Sequence, residues 1–287
     1  MEYFPIRTDL ALESRERLEN ENDEVRGVLF EEQYDEKRNV TITKVKIETE
    51  NGARSIGKPI GTYLTLEAPE MNQADEGTHR EISEVLAEQL KELLGEGVES
   101  VLVAGLGNRD VTPDALGPEV VNHLYITRHL LKEYGSYAFP EKKVASISGI
   151  VPGVMAQTGM ETVEILRGVI QETKPQVVIA IDALAARSVR RLGRTIQLAN
   201  TGINPGSGVG NHRKGLNLET LGVPVIAIGV PTVVDAATIV FDACRDVEKI
   251  PNGIAGMFVT PKNIDETIRR LSYTISEALN MIFELNF

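Results

Sequence analysis

Ser100-Val101-Leu102-Val103-Ala104-Gly105-Leu106-Gly107-Asn108-Arg109-Asp110-Val111-Thr112-Pro113-Asp114-Ala115-Leu116-Gly117-Pro118 reads as a buried strand, a sharp loop and the opening of a helix. Pro113 biases Thr112 toward extended geometry and suits a first helical turn, so the loop delivers Asp114 to the carboxyl end of a strand. In open α/β sheets that edge is where ligands bind. A second apolar run, Val177-Val178-Ile179-Ala180-Ile181, ends in Asp182 and continues as Ala183-Leu184-Ala185-Ala186-Arg187. Two carboxylates at one sheet edge form a candidate pair.

The rest of the chain fits the same plan. Ile82, Val85, Leu86, Leu90, Leu93 and Leu94 recur at helical spacing from Thr78, with Gly95 and Gly97 as stops. After the strand at 100–105 the pattern predicts a helix over 114–131, a strand near 144–147, a helix over 158–172 and the strand at 177–182. A short strand over 195–198, an apolar strand through 223–228, a helix in 232–246 and a last amphipathic helix over 263–283 complete it. Apolar strands alternating with helices indicate an α/β fold of three layers, a mostly parallel sheet covered on both faces. Residues 70–287 form this α/β unit.

Residues 1–69 read as a partly β N-terminal extension packed on that core, the two forming one structural unit overall. Val40-Thr41-Ile42-Thr43 alternates, and Val45-Lys46-Ile47-Glu48 resumes one residue out of phase, predicting a β-bulge or bend. Asn51-Gly52 signals a turn, and 61–66 a further strand. The glycine-rich Thr201 to Asn211 segment is a long loop, a type that often carries function.

Composition narrows the classes. The chain has 287 residues, 42% hydrophobic and 25% charged, as ordinary water-soluble proteins do. No apolar run reaches the ~18 residues of a membrane span, and the N-terminus lacks a signal-peptide pattern. One cysteine, Cys244, forbids an intrachain disulfide and suits a reducing cytoplasm. The net charge of −12 argues against direct nucleic-acid binding. The acidic residues between Glu13 and Glu36 read mostly as solvated surface, and Arg187, Arg190, Arg191 and Arg194 as a solvated helix face.

Asp114 has a structural alternative, a first-turn aspartate satisfying free backbone N–H groups. Asp110 is a weaker rival. Asp182, directly after apolar strand residues, needs a partner or a raised pKa. Two neighbouring carboxylates discourage each other's ionisation, so one holds a proton while the other is charged, as acid/base activation of water requires. Asp235 reads as a capping or packing residue. His79, His123, His129 and His212 are scattered without zinc spacing, so no metal or other cofactor is expected unless Asp114, Asp182 and His212 converge. Gly105-x-Gly107 is a weak match to a dinucleotide loop. Ser207, between Gly206 and Gly208, does not fit the nucleophile-elbow pattern. Cys244 reads as packing.

Several blocks carry a resemblance. Arg7 to Ala11, Gly105 to Asn108, Val111 to Pro118, Ala180 to Ala185, Asn200 to Asn211 and Gly222 to Ala236 resemble the spore germination protease family. The resemblance implies an atypical aspartic endopeptidase with a fold similar to the hydrogenase-maturation proteases (phosphorylase/hydrolase-like). By it, Asp114 and Asp182 would be the catalytic residues. Gly206, Ser207 and Gly208 would be candidates for shaping the cleft or an oxyanion site. It further implies small acid-soluble, DNA-protecting spore proteins as substrate, a homotetramer, zymogen processing and residence in the cytoplasm of the forespore or spore core. Only six residues precede Arg7, so a removable pro-segment would be very short, and 242–257 is brief where many relatives carry an insertion. The alternatives are a metal-dependent protease related to the hydrogenase-maturation endopeptidases and a non-catalytic binding module.

Overall fold

A computed structural model describes residues 8–20, 26–71, 76–140, 142–206, 214–243, 253–254 and 256–283. The parallel part of the sheet is built first by the apolar runs. β4 (Ser100–Gly105) lies between β5 (Ser146–Ile150) and β6 (Val177–Ala186), and β6 pairs in parallel with β8 (Val225–Asp235). These runs are continuously apolar because both faces are covered. Val101, Val103, Ile179, Ile181, Ile226 and Ile228 enter one core with α3 (Glu76–Leu94), α4 (Leu116–Asn122) and α10 (Ile264–Ile282). Leu102, Ala104, Val178 and Ala180 enter the other with α7 (Thr162–Thr173) and α8 (Leu218–Leu221).

An antiparallel arm widens this core. β1 (Val28–Asp35), β2 (Val40–Ile47) and β3 (Gly61–Glu67) form a meander, and β3 joins β7 (Thr195–Ala199), which pairs with β8. The order is β1-β2-β3-β7-β8-β6-β4-β5, with β9 (Phe258–Val259) on β8. The α/β architecture of a sheet flanked by helices is the expected one. The sheet is mixed, with its parallel pairing confined to β8-β6-β4-β5, and the N-terminal strands are hydrogen-bonded into it. No described helix is long and apolar enough to cross a membrane.

Several local expectations need correction. The phase slip in β2 is no bulge, because its register is unbroken with both β1 and β3. Its two ends are covered on opposite faces. Val40 and Ile42 pack into the α3 side, while Val45 and Ile47 pack with Ala11 of α1 (Ala11–Asn20) and Ile56 of α2 (Glu50–Ile56). Asn51-Gly52 is not a turn but lies in α2, where the Thr49 hydroxyl accepts the Gly52 N–H at 3.1 Å. A Cβ at Gly52 would stand 2.8 Å from the Gly27 carbonyl oxygen, so close approach selects this glycine.

The helix expected over 114–131 is divided into α4 and α5 (Arg128–Tyr134). Between them Thr127 is pinned to the sheet edge, its hydroxyl donating to the Ala145 carbonyl at 2.5 Å and accepting from Ile147 N–H at 2.9 Å. The helix expected over 158–172 is α7, which starts only at Thr162, after the separate turn α6 (Met155–Thr158), Gly159 in the left-handed region and the Glu161–Glu164 capping box. The helix expected in 232–246 begins later, because β8 runs on to Asp235 before α9 (Ala236–Ala243).

The arginine cluster is the last of these corrections. It lies on and beside a one-turn 3₁₀ helix, Val189–Arg191, and Arg191 is only 2% exposed. Its guanidinium contacts Glu13 at 3.1 Å, Glu16 at 2.6 Å and Glu67 at 2.9 Å. Glu13 is also buried, its carboxylate accepting the Arg187 and Ser188 N–H groups at 2.7 and 3.0 Å. One buried arginine thus ties α1 to β3 and to the segment after β6.

Candidate active site

The loop after β4 is held by close backbone approach. Leu106 N–H donates to the Ile181 carbonyl at 2.8 Å, extending the β4–β6 pairing by one residue. Gly107 has φ +104°, and a Cβ there would lie 2.0 Å from the Asp114 carbonyl oxygen. A Cβ at Gly117 would lie 2.4 Å from Leu106 N and 2.5 Å from the Ile181 oxygen. These glycines let the first turn of α4 rest on the strand ends. Asp114 closes the 3₁₀ turn Thr112–Asp114 that precedes α4, and this turn abuts β6 and β8.

Asp114 is therefore not a simple helix cap. Its Oδ2 accepts the N–H of Asn108, six residues earlier, at 2.8 Å. Asn108 is itself fixed, because its side-chain oxygen accepts from Asp110 N–H at 3.0 Å and from Gln157 Nε2 at 3.1 Å. Asp110 is exposed, and its carboxylate accepts from Gln157 at 3.3 Å. It supports the loop.

Asp182 differs from the expectation in one respect. It does not end its strand, since β6 continues to Ala186. Beyond Ile181 the β4 side is vacated, and β8 alone stays alongside, pairing Asp182 with Gly229 through to Ala186 with Val234. The outer side of this extension is taken by the N-terminal segment. Asp9 N–H donates to the Ala185 carbonyl, and Ala185 N–H donates to the Asp9 carboxylate, both at 2.9 Å. Asp182 is 4% exposed, and its Oδ1 accepts the Ala183 N–H at 3.0 Å. It shares the α7 face with Val178 and Ala180 by strand alternation. The two aspartates thus stand at the same end of the sheet, one on a rigid strand and one on the adjoining loop.

The row Asp182–Gly229–Gln197 crosses three strands and leads into a cleft of about 80 Å³ lined by Asp9, Lys58, Tyr63, Gln197, Asn204 and Gly229, among others. Gln197 donates to the Asp9 carbonyl and accepts the Ala11 N–H. The Lys58 ammonium donates to the same carbonyl at 2.8 Å, and burial pushes its pKa down against the opposing charge of Asp9. Burial likewise pushes the Tyr63 hydroxyl up to about 12, opposed by its hydrogen bond with Thr201. None of Lys58, Tyr63, Gln197 or Gly229 was singled out by sequence pattern. The signal for Gly229 was its place inside an apolar strand, where glycine marks a close approach: a Cβ there would meet Leu184 Cδ1 at 2.4 Å.

Gly206 is described and has φ +71°. Ser207, Gly208, His212 and Cys244 lie outside the described residues. Asp235 is at the β8–α9 junction, where its Oδ1 accepts from Ala237 N–H at 2.8 Å and Thr238 N–H at 3.3 Å, a capping role as expected. His79 lies against Thr274 and Glu277 of α10. Among the described residues no group of three or more histidine, cysteine or acidic side chains is arranged to hold a metal.

Comparison with known proteins places the chain. A family profile described as germination protease matches residues 7–250. A germination protease from Clostridium perfringens is 42% identical over 99% of this chain and 96% of its own length. Another, from Bacillus cytotoxicus, is 49% identical over 83% of this chain and 66% of its own length. Among solved structures, the nickel–iron hydrogenase maturation protease HycI from Thermococcus kodakarensis aligns at 22% identity and a TM-score of 0.36, covering 67% of this chain and 99% of its own. By the family match and the extent of these identities, the chain is a protease belonging to the germination protease family.

Proposed function

We propose that the chain is an atypical aspartic endopeptidase that starts the degradation of small acid-soluble spore proteins, with Asp114 and Asp182 as its acid/base pair. The observation that carries the reading is the junction at Leu106 and Ile181. There the loop bearing Asp114 is bonded and packed onto the strand position immediately before Asp182.

In this mechanism the ionised aspartate takes a proton from water as its oxygen attacks the scissile carbonyl carbon. The protonated partner gives its proton to the carbonyl oxygen, and the resulting tetrahedral species collapses as the amide nitrogen is protonated and leaves. The burial of Asp182 serves this chemistry, since a carboxyl withdrawn from water favours sharing one proton with a neighbouring carboxylate. Gly206, with Ser207 and Gly208, would line the cleft and offer N–H groups to the developing oxyanion. Family membership supports the substrate, the homotetramer, zymogen processing and the spore-core location as parts of the same reading.

The test is incubation of the purified chain with a small acid-soluble spore protein, with fragments identified by mass. Discrete internal cleavage that persists at full rate in a strong chelator is expected. Activity lost on chelation and restored by a divalent cation would transfer the reaction to a metal-dependent mechanism. No cleavage at all would favour a binding module.

A further inference from the structure

The loop that carries Asp114 has a support outside itself. Asn108 is the hub: its N–H holds the Asp114 carboxylate at 2.8 Å. Its peptide follows Gly107, whose positive φ belongs to the residue type with the least intrinsic restraint. The orientation of that N–H therefore depends on what fixes Asn108 from its other side. Three bonds do so. Val111 N–H donates to the Asn108 carbonyl at 3.1 Å, Asp110 N–H donates to its side-chain oxygen at 3.0 Å, and Gln157 Nε2 donates to that same oxygen at 3.1 Å.

Gln157 alone of these donors comes from another element. It sits on α6, between Gly153 and Gly159, both at positive φ. Its backbone N–H donates to Val154 O at 2.9 Å, so α6 is a closed turn, and only the side-chain amide reaches outward. The amide also donates to Asp110 Oδ2 at 3.3 Å and so bridges both ends of the Asn108–Asp110 turn. Gln157 is exposed and has no place in either core.

We infer that Gln157 is a positioning residue, whose amide clamps the Asn108–Asp110 turn and so orients the Asn108 N–H that holds Asp114. This rests on the reading of Asp114 as a catalytic residue. A lysine at the same place keeps a donor for Asn108 Oδ1 and gains attraction to Asp110. A glutamate presents an acceptor to an acceptor and repels Asp110.

The experiment compares Gln157→Ala, Gln157→Lys and Gln157→Glu with the parent chain, using small acid-soluble spore protein cleavage and amide-proton exchange at Asn108 by NMR. Gln157→Ala is expected to lower kcat about three- to tenfold, the factor that one or two exposed hydrogen bonds represent, with KM and the melting temperature unchanged. Exchange at Asn108 should quicken by a similar factor. Gln157→Lys should restore most of both, and Gln157→Glu should be worse than alanine. Parent-like kcat and exchange in Gln157→Ala, or a lysine variant no better than alanine, would overturn the inference. The exchange measurement keeps the two readings apart. If Asp114→Asn retains activity while Gln157→Ala still frees the Asn108 amide, the clamp stands and the catalytic reading falls. If Asp114→Asn is inactive and Gln157→Ala is silent in both measurements, only the clamp falls.

Discussion

Asp182→Asn is expected to yield a folded chain with kcat lowered about 10²–10⁴-fold, the range contributed by a positioned acid or base. Asparagine is nearly isosteric, and its side-chain oxygen can still accept the Ala183 N–H that Asp182 accepts at 3.0 Å. What it loses is the ability to take up and return a proton. Asp114→Asn should fall by a comparable factor, since its oxygen can keep the Asn108 N–H. The double variant should be scarcely slower than either single one, because two groups sharing one proton act as a unit. Steady-state cleavage with a thermal melt of each variant checks this. Near-parent kcat in either single variant would remove that aspartate from the chemistry.

The largest stability effect should come from Arg191→Met. Methionine replaces the stem but not the guanidinium, leaving Glu13, whose side chain is 2% exposed, without its buried cation. Removing one partner of a buried ion pair costs about 3–5 kcal/mol. Glu16 and Glu67 are partly solvated and contribute less. Urea unfolding should show this as a lower midpoint, and adding Glu13→Gln should recover part of it. A loss under about 1 kcal/mol would mean that the Arg187 and Ser188 N–H groups suffice for Glu13. The pH dependence has a definite sign. Burial raises the Glu16 pKa, but the hydrogen bond and charge of Arg191 outweigh it and hold the carboxyl below its usual range. That contribution is present above the unfolded value of about 4.3 and fades as pH falls through the lower folded value. The methionine variant should lack this acid-side component.

What could be read from residue order followed burial on both faces or on one. β4, β3 and α10 stand within a residue or two of expectation because their apolar patterns answer to simple surroundings. Asp182 is legible in the sequence as a buried carboxylate, yet the sequence pattern ends the strand there, whereas β6 continues to Ala186. Its continuation depends on β8 running alongside and on Asp9 from the far end of the chain, and neither partner leaves a local trace. The division of the 114–131 helix depends on Thr127 bonding to the β5 edge, again a tertiary event. Arg191 and Glu13 looked like surface charges because each is ordinary in its own segment. Only their juxtaposition buries them. The cleft beside Gly229 was invisible for the same reason, being lined from segments as distant as Asp9 and Asn204.

The pairing of β3 with β7 also orders events in time. Tyr63 meets Ala199 and Glu67 meets Thr195, so the meander of β1, β2 and β3 leaves the ribosome long before its next strand exists. It can close on itself through local contacts, but one edge of β3 then waits with unpaired backbone groups while more than a hundred residues are synthesised. Joining of the two parts of the sheet is a non-local step of the kind that slows folding. Refolding of the full chain should therefore show a late phase in which the amides of β3 and β7 gain protection together.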